Sequence, residues 1–304
     1  RTMEIIRDLE REPRGIYTGA IGLFGPGPGF TCSVAIRTLV HRGGDFDLGL
    51  GAGIVWDSDA PAEYQETLLK SRFAFASQTD LRLFETLRLD TDRRYAFAAE
   101  HVERLAASAR YWDLRCDPAS ITRALEAFAE TATGLPLRVH LECDADGGIE
   151  ITATPLPEPA GRPLRILLAR TPVDSRDARL FHKTTARDVY TRHLEEAKAL
   201  GFDEVIFTNE QGHVTEGTYT NLFAKVDGRW ITPPVTDGLL AGIWRHHHLR
   251  TSEAREQSLT PADLARAEAL LLGNSVRGPM PAGEVCAQGS PHGTLQVIWR
   301  APGA

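Results

Sequence analysis

The chain has 304 residues, 42% hydrophobic and 25% charged, an ordinary globular composition that argues against long disorder. Its 34 basic and 41 acidic residues leave a net charge of −7, which disfavours nucleic acid as a partner but not a small anionic ligand held by a local donor cluster. No apolar run approaches the roughly 18 residues of a membrane-spanning helix, so no membrane partner is expected.

The opening RTMEIIRDLE is charged, lacks the apolar core of a signal peptide and has no initiator Met. The chain is therefore expected to be a cytoplasmic piece of something longer. Cys32, Cys116, Cys143 and Cys286 are scattered without a C-x-x-C pair, which reads as reduced cysteine rather than zinc or redox chemistry.

Residues 1–14 read as the end of a helix broken by Pro13. IYTGAIGLF and FTCSVAIRTLVHR then form a hairpin around the turn GPGPG, and DLGLGAGIVWDSD is a further Gly-rich strand. Asp57-Ser58-Asp59 caps a helix that starts at Pro61.

LRLFETLRLD and RRYAFAAEH open a second region as a hairpin. Helices over AAEHVERLAASARYWDL and PASITRALEAFAETATG follow, with Gly134 as the closing cap. LPLRVHLECD and GGIEITATPLP pair as strands, and the Pro/Gly-rich 155–163 reads as a linker. Beyond it, RPLRILLAR is a strand, TARDVYTRHLEEAKALG a helix, DEVIFTNEQGHVTEGTYTNLFAKVDGRWITPP several short strands, and LLAGIWRHHHLRTSEA helical. Hairpins dominate the connections, so the class is α+β, with expected domains at 1–76, 80–157 and 163–290.

Lys183 stands in LFHKTTARDVY, after apolar text and before a helix. Partial desolvation there lowers a lysine's pKa and makes it a nucleophile or base, although an exposed helix-start lysine is the commoner case. Glu216, in HVTEGTYTN, can face a buried cation or simply occupy a turn. GLLAGIWR and LLGNSVRG supply Gly-rich breaks whose free amides suit a phosphate. Lysine, acid and phosphate-binding turns together are what pyridoxal phosphate requires.

LFETLRL, AAEHVERLAAS, FHKTTARDVY, DEVIFTNEQGHVTEGTYTNLFA, GLLAGIWR and GNSVRG resemble the class IV aminotransferase family, the fold-type IV pyridoxal-phosphate enzymes, over about 82–285. The resemblance implies a small α/β domain before a larger β-rich one. It implies that Lys183 carries the cofactor covalently, that Glu216 holds the pyridine nitrogen protonated, and that Arg104 binds the phosphate with the turns at Ile243 and Ser275. Thr86 becomes an active-site candidate. Family members usually open with a strand pair before this F-E-T strand, and here the chain enters FETLR directly.

RTMEIIRDLE, RGIYTGAIG, VAIRTL, GLGAGIVWDSD and AEYQETLLK resemble instead the C-terminal end of chorismate-utilising enzymes. Glu63, Glu66 and Lys70 share one helix face, a pattern that is also a common solvated ion-pair motif. The resemblance carries chorismate contacts to Tyr17, Arg37, Gly51, Ala52, Gly53 and Lys70, and Mg²⁺ binding to Glu63 and Glu66 in the complete chorismate-binding half. With the larger part of such an enzyme missing, the fragment alone is not expected to aminate chorismate.

GLGAGI lacks the dinucleotide spacing, and the adjacent His246, His247 and His248 point about 100° apart on a helix, so neither is read as a site. The two resemblances side by side match the bifunctional 4-aminobenzoate synthases. They imply a homodimeric lyase that releases pyruvate from 4-amino-4-deoxychorismate, in a protein whose parent pairs with a glutamine amidotransferase subunit. A branched-chain or D-amino-acid transaminase, and a non-catalytic remnant of the fold, are the alternatives.

Overall fold

A computed structural model of the chain describes residues 1–10, 12–75, 81–158, 161–288 and 294–302. The expected boundary around 76–80, residues 159–160 of the expected linker and the end of the third domain at 289–290 lie outside them. Two compact units are present, Arg1–Gln78 and Thr79–Ala304.

The first unit holds α1 (Thr2–Leu9), the hairpin of β1 (Ala20–Phe24) and β2 (Phe30–Val34), the hairpin of β3 (Leu39–Arg42) and β4 (Asp45–Leu48), and α2 (Ala60–Phe75). Gly43 and Gly44 both take positive φ, as a two-residue turn matched to strand twist demands. Asp59 caps α2 by accepting from the Ala62 amide at 3.3 Å. Two expectations are corrected. The long strand through VAIRTL breaks at a turn in which Arg37 has a φ of +50°, and residues 49–59 form no strand. Ala35 is the one buried hydrophobic residue among those described here, while Trp56 is 99% exposed and Phe24 and Phe30 face solvent.

The second unit begins with a three-stranded antiparallel sheet of β5 (Leu83–Leu89), β6 (Leu137–Cys143) and β7 (Ile149–Pro155). Between β5 and β6 the chain forms α3 (Ala98–Tyr111) and α4 (Pro118–Thr131), the latter started by the Asp117 cap and Pro118. Along β6, buried and half-buried residues alternate with the period of two that puts one face against the helices. Leu83, Leu87 and Leu141 on that face meet Leu105, Ala109, Ile121 and Leu125. The expected second strand at RRYAFAAEH is reduced to one bridge between Leu89 and Tyr95, because α3 already starts at Ala98.

The remaining elements are β8 (Leu164–Leu168), α5 (Asp188–Ala199), β9 (Glu204–Thr208), β10 (Val214–Gly217), β11 (Asn221–Val226), β12 (Arg229–Thr232), α6 (Ile243–Thr251), β13 (Arg255–Glu256), α7 (Pro261–Ala265), β14 (Ala269–Asn274), β15 (Gly278–Gln288) and β16 (Leu295–Arg300). They build a nine-stranded sheet ordered β10-β9-β8-β15-β14-β11-β12-β13, with β16 on β15. The β10–β11 pairing closes the first six strands of that order into a ring. The pairing is mixed, since β8 runs parallel to β9 and β15 while most other pairs are antiparallel. The α+β class therefore holds.

One cysteine reading is overturned. Cys116 and Cys143 are joined as a disulfide, their Cα atoms 6.6 Å apart across 27 residues of sequence. The fold brings the start of α4 to the end of β6, an adjacency that spacing along the chain does not disclose. Cys32 and Cys286 remain free.

Leu87 is fully buried between sheet and helices. Leu87→Ala is expected to lower the unfolding free energy by about 2–5 kcal/mol, while Leu200→Ala, at an exposed position, costs under about 0.5 kcal/mol. Urea unfolding of the two variants measures the difference.

Candidate active site

A cavity of about 720 Å³ lies between the small sheet and the ring of strands, within the usual size range for small-ligand sites. Thr86, Arg104, Lys183, Glu216, Ile243 and Ser275 all line it, so six residues chosen from distant segments meet in one place.

Lys183 is not directly before a helix. A short 3₁₀ turn, Ala178–Phe181, precedes it, and α5 begins five residues later at Asp188. The segment between runs extended along the edge of the small sheet. Its Lys183 carbonyl accepts from the Phe84 amide at 3.0 Å, and the Thr185 amide donates to the Arg82 carbonyl at 2.9 Å. The Leu83–Thr184 bridge completes this seam. It sets the Lys183 ammonium 4.6 Å from the centre of the Phe84 ring.

Burial is the main force on the Lys183 amine and lowers its pKa. Glu85 and Glu216 pull it back up while Arg104 and Arg187 push it further down, and the balance is about 7. Near neutral pH a large fraction of this lysine is thus an unprotonated nucleophile, where an ordinary lysine is almost wholly protonated.

Glu216 sits on β10, paired in register with Asn221 of β11. The Tyr190 hydroxyl donates to one of its oxygens at 3.1 Å, and the Asn221 amide nitrogen donates to the other at 3.1 Å. Burial raises its pKa to about 7 against those bonds and the nearby Arg187 and Lys183. A carboxyl so poised shares a proton readily with a basic ring nitrogen.

Arg104 reaches the cavity from α3. Its Nε and Nη2 donate to the two oxygens of Glu85 at 2.8 and 2.6 Å, and its Nη1 donates to the Ala241 carbonyl at 3.2 Å. Glu85 also contacts His101 Nδ1 at 2.7 Å. Burial alone would raise the Glu85 pKa, but Arg104 and His101 outweigh it and hold the carboxylate at about 2. The guanidinium is thereby fixed as a fork, with its loop contact beside α6.

Ile243 opens α6 after Gly242, with no side chain capping the first amides. A Cβ on Gly242 would fall 1.8 Å from the Asn221 Oδ1 atom, so the helix start must approach this closely and only glycine permits it. Asn274 Oδ1 accepts from the Val276 and Arg277 amides at 3.0 and 2.9 Å, which shapes the turn that carries Ser275. Amides at a helix start, a turn hydroxyl and a forked arginine suit a phosphate. A buried carboxyl suits a pyridine nitrogen, and a neutral amine suits an aldehyde. The residues present therefore fit pyridoxal phosphate.

Sequence reading missed Tyr190, Glu85, His101, Arg187 and the role of Asn221. Tyr190 lies on a different element from Glu216, with nothing local to link them. Glu85 stood in plain view inside FETLR, but its value lies in a partner 19 residues away. Arg187 spans the cavity wall to donate to the Thr218 carbonyl.

In the first unit, Tyr17 packs on the glycine run, since a Cβ on Gly51 would lie 2.8 Å from its hydroxyl oxygen. Lys70 donates to the Gly51 carbonyl at 3.2 Å and pairs with Glu66 at 2.8 Å. Tyr17, Gly51 and Lys70 are thus brought together, with Ala52 and Gly53 continuing the same non-strand run. Arg37 is not on a strand as expected, but exposed in a turn. The Mg²⁺ role is expected only in the complete chorismate-binding half, and here the two carboxylates have other partners. Glu66 is engaged by Lys70 and Glu63 accepts from Ser58 at 2.8 Å, and no cluster of three or more metal-binding side chains occurs among the described residues.

Residues 82–285 match the class IV amino-transferase family, and residues 1–76 match the chorismate binding enzyme family. The chain belongs to the class IV amino-transferases and carries an N-terminal chorismate-binding-enzyme fragment. That fragment is 54% identical over 72 residues to an anthranilate synthase component 1 of Haloarcula marismortui, covering 24% of this chain and 14% of that protein. It is 46% identical over 85 residues to the aminodeoxychorismate synthase component 1 of Bacillus subtilis, covering 28% and 17%. The chain thus spans only a small part of the curated relatives it matches.

A provisional amino-acid aminotransferase of Mesorhizobium loti superposes with a TM-score of 0.63 at 36% identity, over 68% of this chain and all of that one. A provisional 4-amino-4-deoxychorismate lyase of Legionella pneumophila shares the fold, with a TM-score of 0.62 at 24% identity over 67% and 82% of the two chains.

The Lys183 amine reacts only when unprotonated. Its acylation by acetic anhydride, followed by peptide mass mapping, is expected to rise with pH through a midpoint near 7 and to level off above. A midpoint near that of ordinary lysines, about 10.4, would contradict the desolvated site.

Proposed function

We propose that this chain is a pyridoxal-phosphate-dependent lyase that eliminates pyruvate from 4-amino-4-deoxychorismate to give 4-aminobenzoate. The observation that carries the reading is the convergence of Lys183, Glu216 and Arg104 on one cavity, in a chain that also bears a chorismate-binding-enzyme fragment. The fragment supplies the argument for a chorismate-derived substrate, and the likeness to a lyase structure from Legionella supports it at the level of fold.

Bound between Lys183 and Glu216, the cofactor supplies an electron-withdrawing ring that acidifies the carbon bearing the substrate amine. Arg104 and the α6 amides would hold its phosphate end, and Glu216 would keep a proton on its ring nitrogen. The Lys183 Nζ atom, largely unprotonated above pH 7, takes the proton from the amine-bearing carbon. Breaking the neighbouring carbon–oxygen bond then releases the enolpyruvyl group and leaves an aromatic ring. The same Nζ atom returns its proton to the methylene carbon of the leaving group, which completes pyruvate, so atoms and charge balance. The protein is proposed to act as a homodimer in the cytoplasm.

Transamination is the second reading, favoured by the 36% identity to the Mesorhizobium protein. Supplying the cofactor-loaded chain with 4-amino-4-deoxychorismate and coupling product to lactate dehydrogenase tests between them. Pyruvate formation is expected, with branched-chain or D-amino acids plus 2-oxoglutarate giving far slower turnover; the reverse pattern selects transamination. Lys183→Ala is expected to lower pyruvate release by more than about 10³-fold and to remove the visible absorbance of the bound cofactor.

A further inference from the structure

The small sheet presents one face to its helices and the other to the cavity. On the cavity side, Phe84, Thr86 and Arg88 of β5 stand opposite Glu142, His140 and Arg138 of β6. Phe84 marks the Lys183 end of this face. Arg138 lies four residues further along the register, roughly 13 Å of strand. Across β7 its register partner is Thr154, which also lines the cavity.

The charge at this far end is unbalanced. Arg88 and Arg138 are directly opposite each other, an arrangement of like charges that weakens a sheet. Arg277 joins them from the turn after β14, its guanidinium 5.7 Å from the centre of the Tyr219 ring. Arg88 has a carboxylate partner, Asp90, at 2.7 Å. Arg138 and Arg277 have no carboxylate partner among the described residues. Arg138 is half-buried, and burial together with the nearby Arg277 depresses its pKa. Three further arginines of the cavity wall are engaged: Arg104 by Glu85, Arg179 by Asp177 and Arg187 by the Thr218 carbonyl.

Two neighbouring cations, one of them partly desolvated, are costly without a counter-charge, and the cavity they line is open to a ligand. We propose that Arg138 and Arg277 form a carboxylate-binding subsite at the end of the cavity remote from Lys183, for substrates whose carboxylates lie away from the reacting amine carbon. A purely apolar amino-acid side chain leaves this subsite unfilled. A ring with an amine at one end and carboxylates beyond it fills both ends. The substrate identity rests on the elimination reading above; the subsite rests on the arginines alone.

The test uses the cofactor-loaded chain and two probes, isophthalate with two carboxylates and benzoate with one, titrated by calorimetry. Isophthalate is expected to bind more tightly than benzoate, and Arg138→Gln and Arg277→Gln are each expected to weaken isophthalate by about tenfold. Isophthalate affinity unchanged in both variants overturns the subsite. Should either variant fail to fold or load cofactor, phenylglyoxal modification of the unaltered chain replaces it. Isophthalate then protects Arg138 and Arg277 in mass maps, and lack of protection overturns the subsite.

Turnover separates the two claims. Arginine-dependent isophthalate binding without pyruvate from 4-amino-4-deoxychorismate defeats the elimination reading alone. Pyruvate release with unchanged KM in both variants defeats the subsite alone.

Discussion

Two backbone hydrogen bonds and one bridge, between residues 82–84 and 183–185, hold the site together. They add the segment around Lys183 to the edge of a sheet to which it does not belong in sequence. That pairing removes the lysine from water and puts Phe84 beside its amine. A lysine on a free loop would hydrate and keep its ordinary pKa. Here the backbone is committed on one side to the small sheet and on the other to the elements that lead into α5.

The same seam explains how opposite charges are distributed. Glu85 alternates with Phe84 along β5, so it points to the opposite face, where α3 offers Arg104 and His101. The buried carboxylate stays ionised because two donors compensate its desolvation, and in return it orients the arginine. Glu216 receives weaker compensation from Tyr190 and Asn221, and its carboxyl remains easy to protonate. Two buried acids therefore behave differently because Arg104 bonds Glu85 directly with two nitrogens, while Glu216 is bonded by neutral donors and feels Arg187 and Lys183 only through space.

The N-terminal unit has a different balance. Its hairpins are well formed in register, yet its described residues bury almost no apolar side chain. Isolated two-stranded hairpins are marginal in water, and exposed residues such as Leu23, Phe24 and Trp56 form apolar surface of the kind that normally meets further protein. Tyr17, Gly51, Lys70 and Glu66 nevertheless keep short local contacts, which depend on turn geometry and a helix rather than on a core.

Local chemistry made much of this protein legible in advance. Helices at 98–111 and 118–131 followed from apolar spacing and the β6–β7 strand pair from its text, while the resemblance carried by short motifs, rather than chemistry read from single residues, pointed to Arg104, Ile243 and Ser275 beside Lys183 and Glu216. These features depend on residues within a few positions of one another. What tertiary structure alone decided depends on contacts across the chain: the Leu83–Thr184 seam, the 27-residue span between Cys116 and Cys143, Tyr190 against Glu216, and the arginines gathered at the far wall. Periodicity reports which face of a strand or helix is buried, but not which distant segment covers it. Desolvation, which sets the reactivity of Lys183, is a property of that covering; the apolar text before the lysine suggested it, but only the distant β5 segment packed against it supplies it.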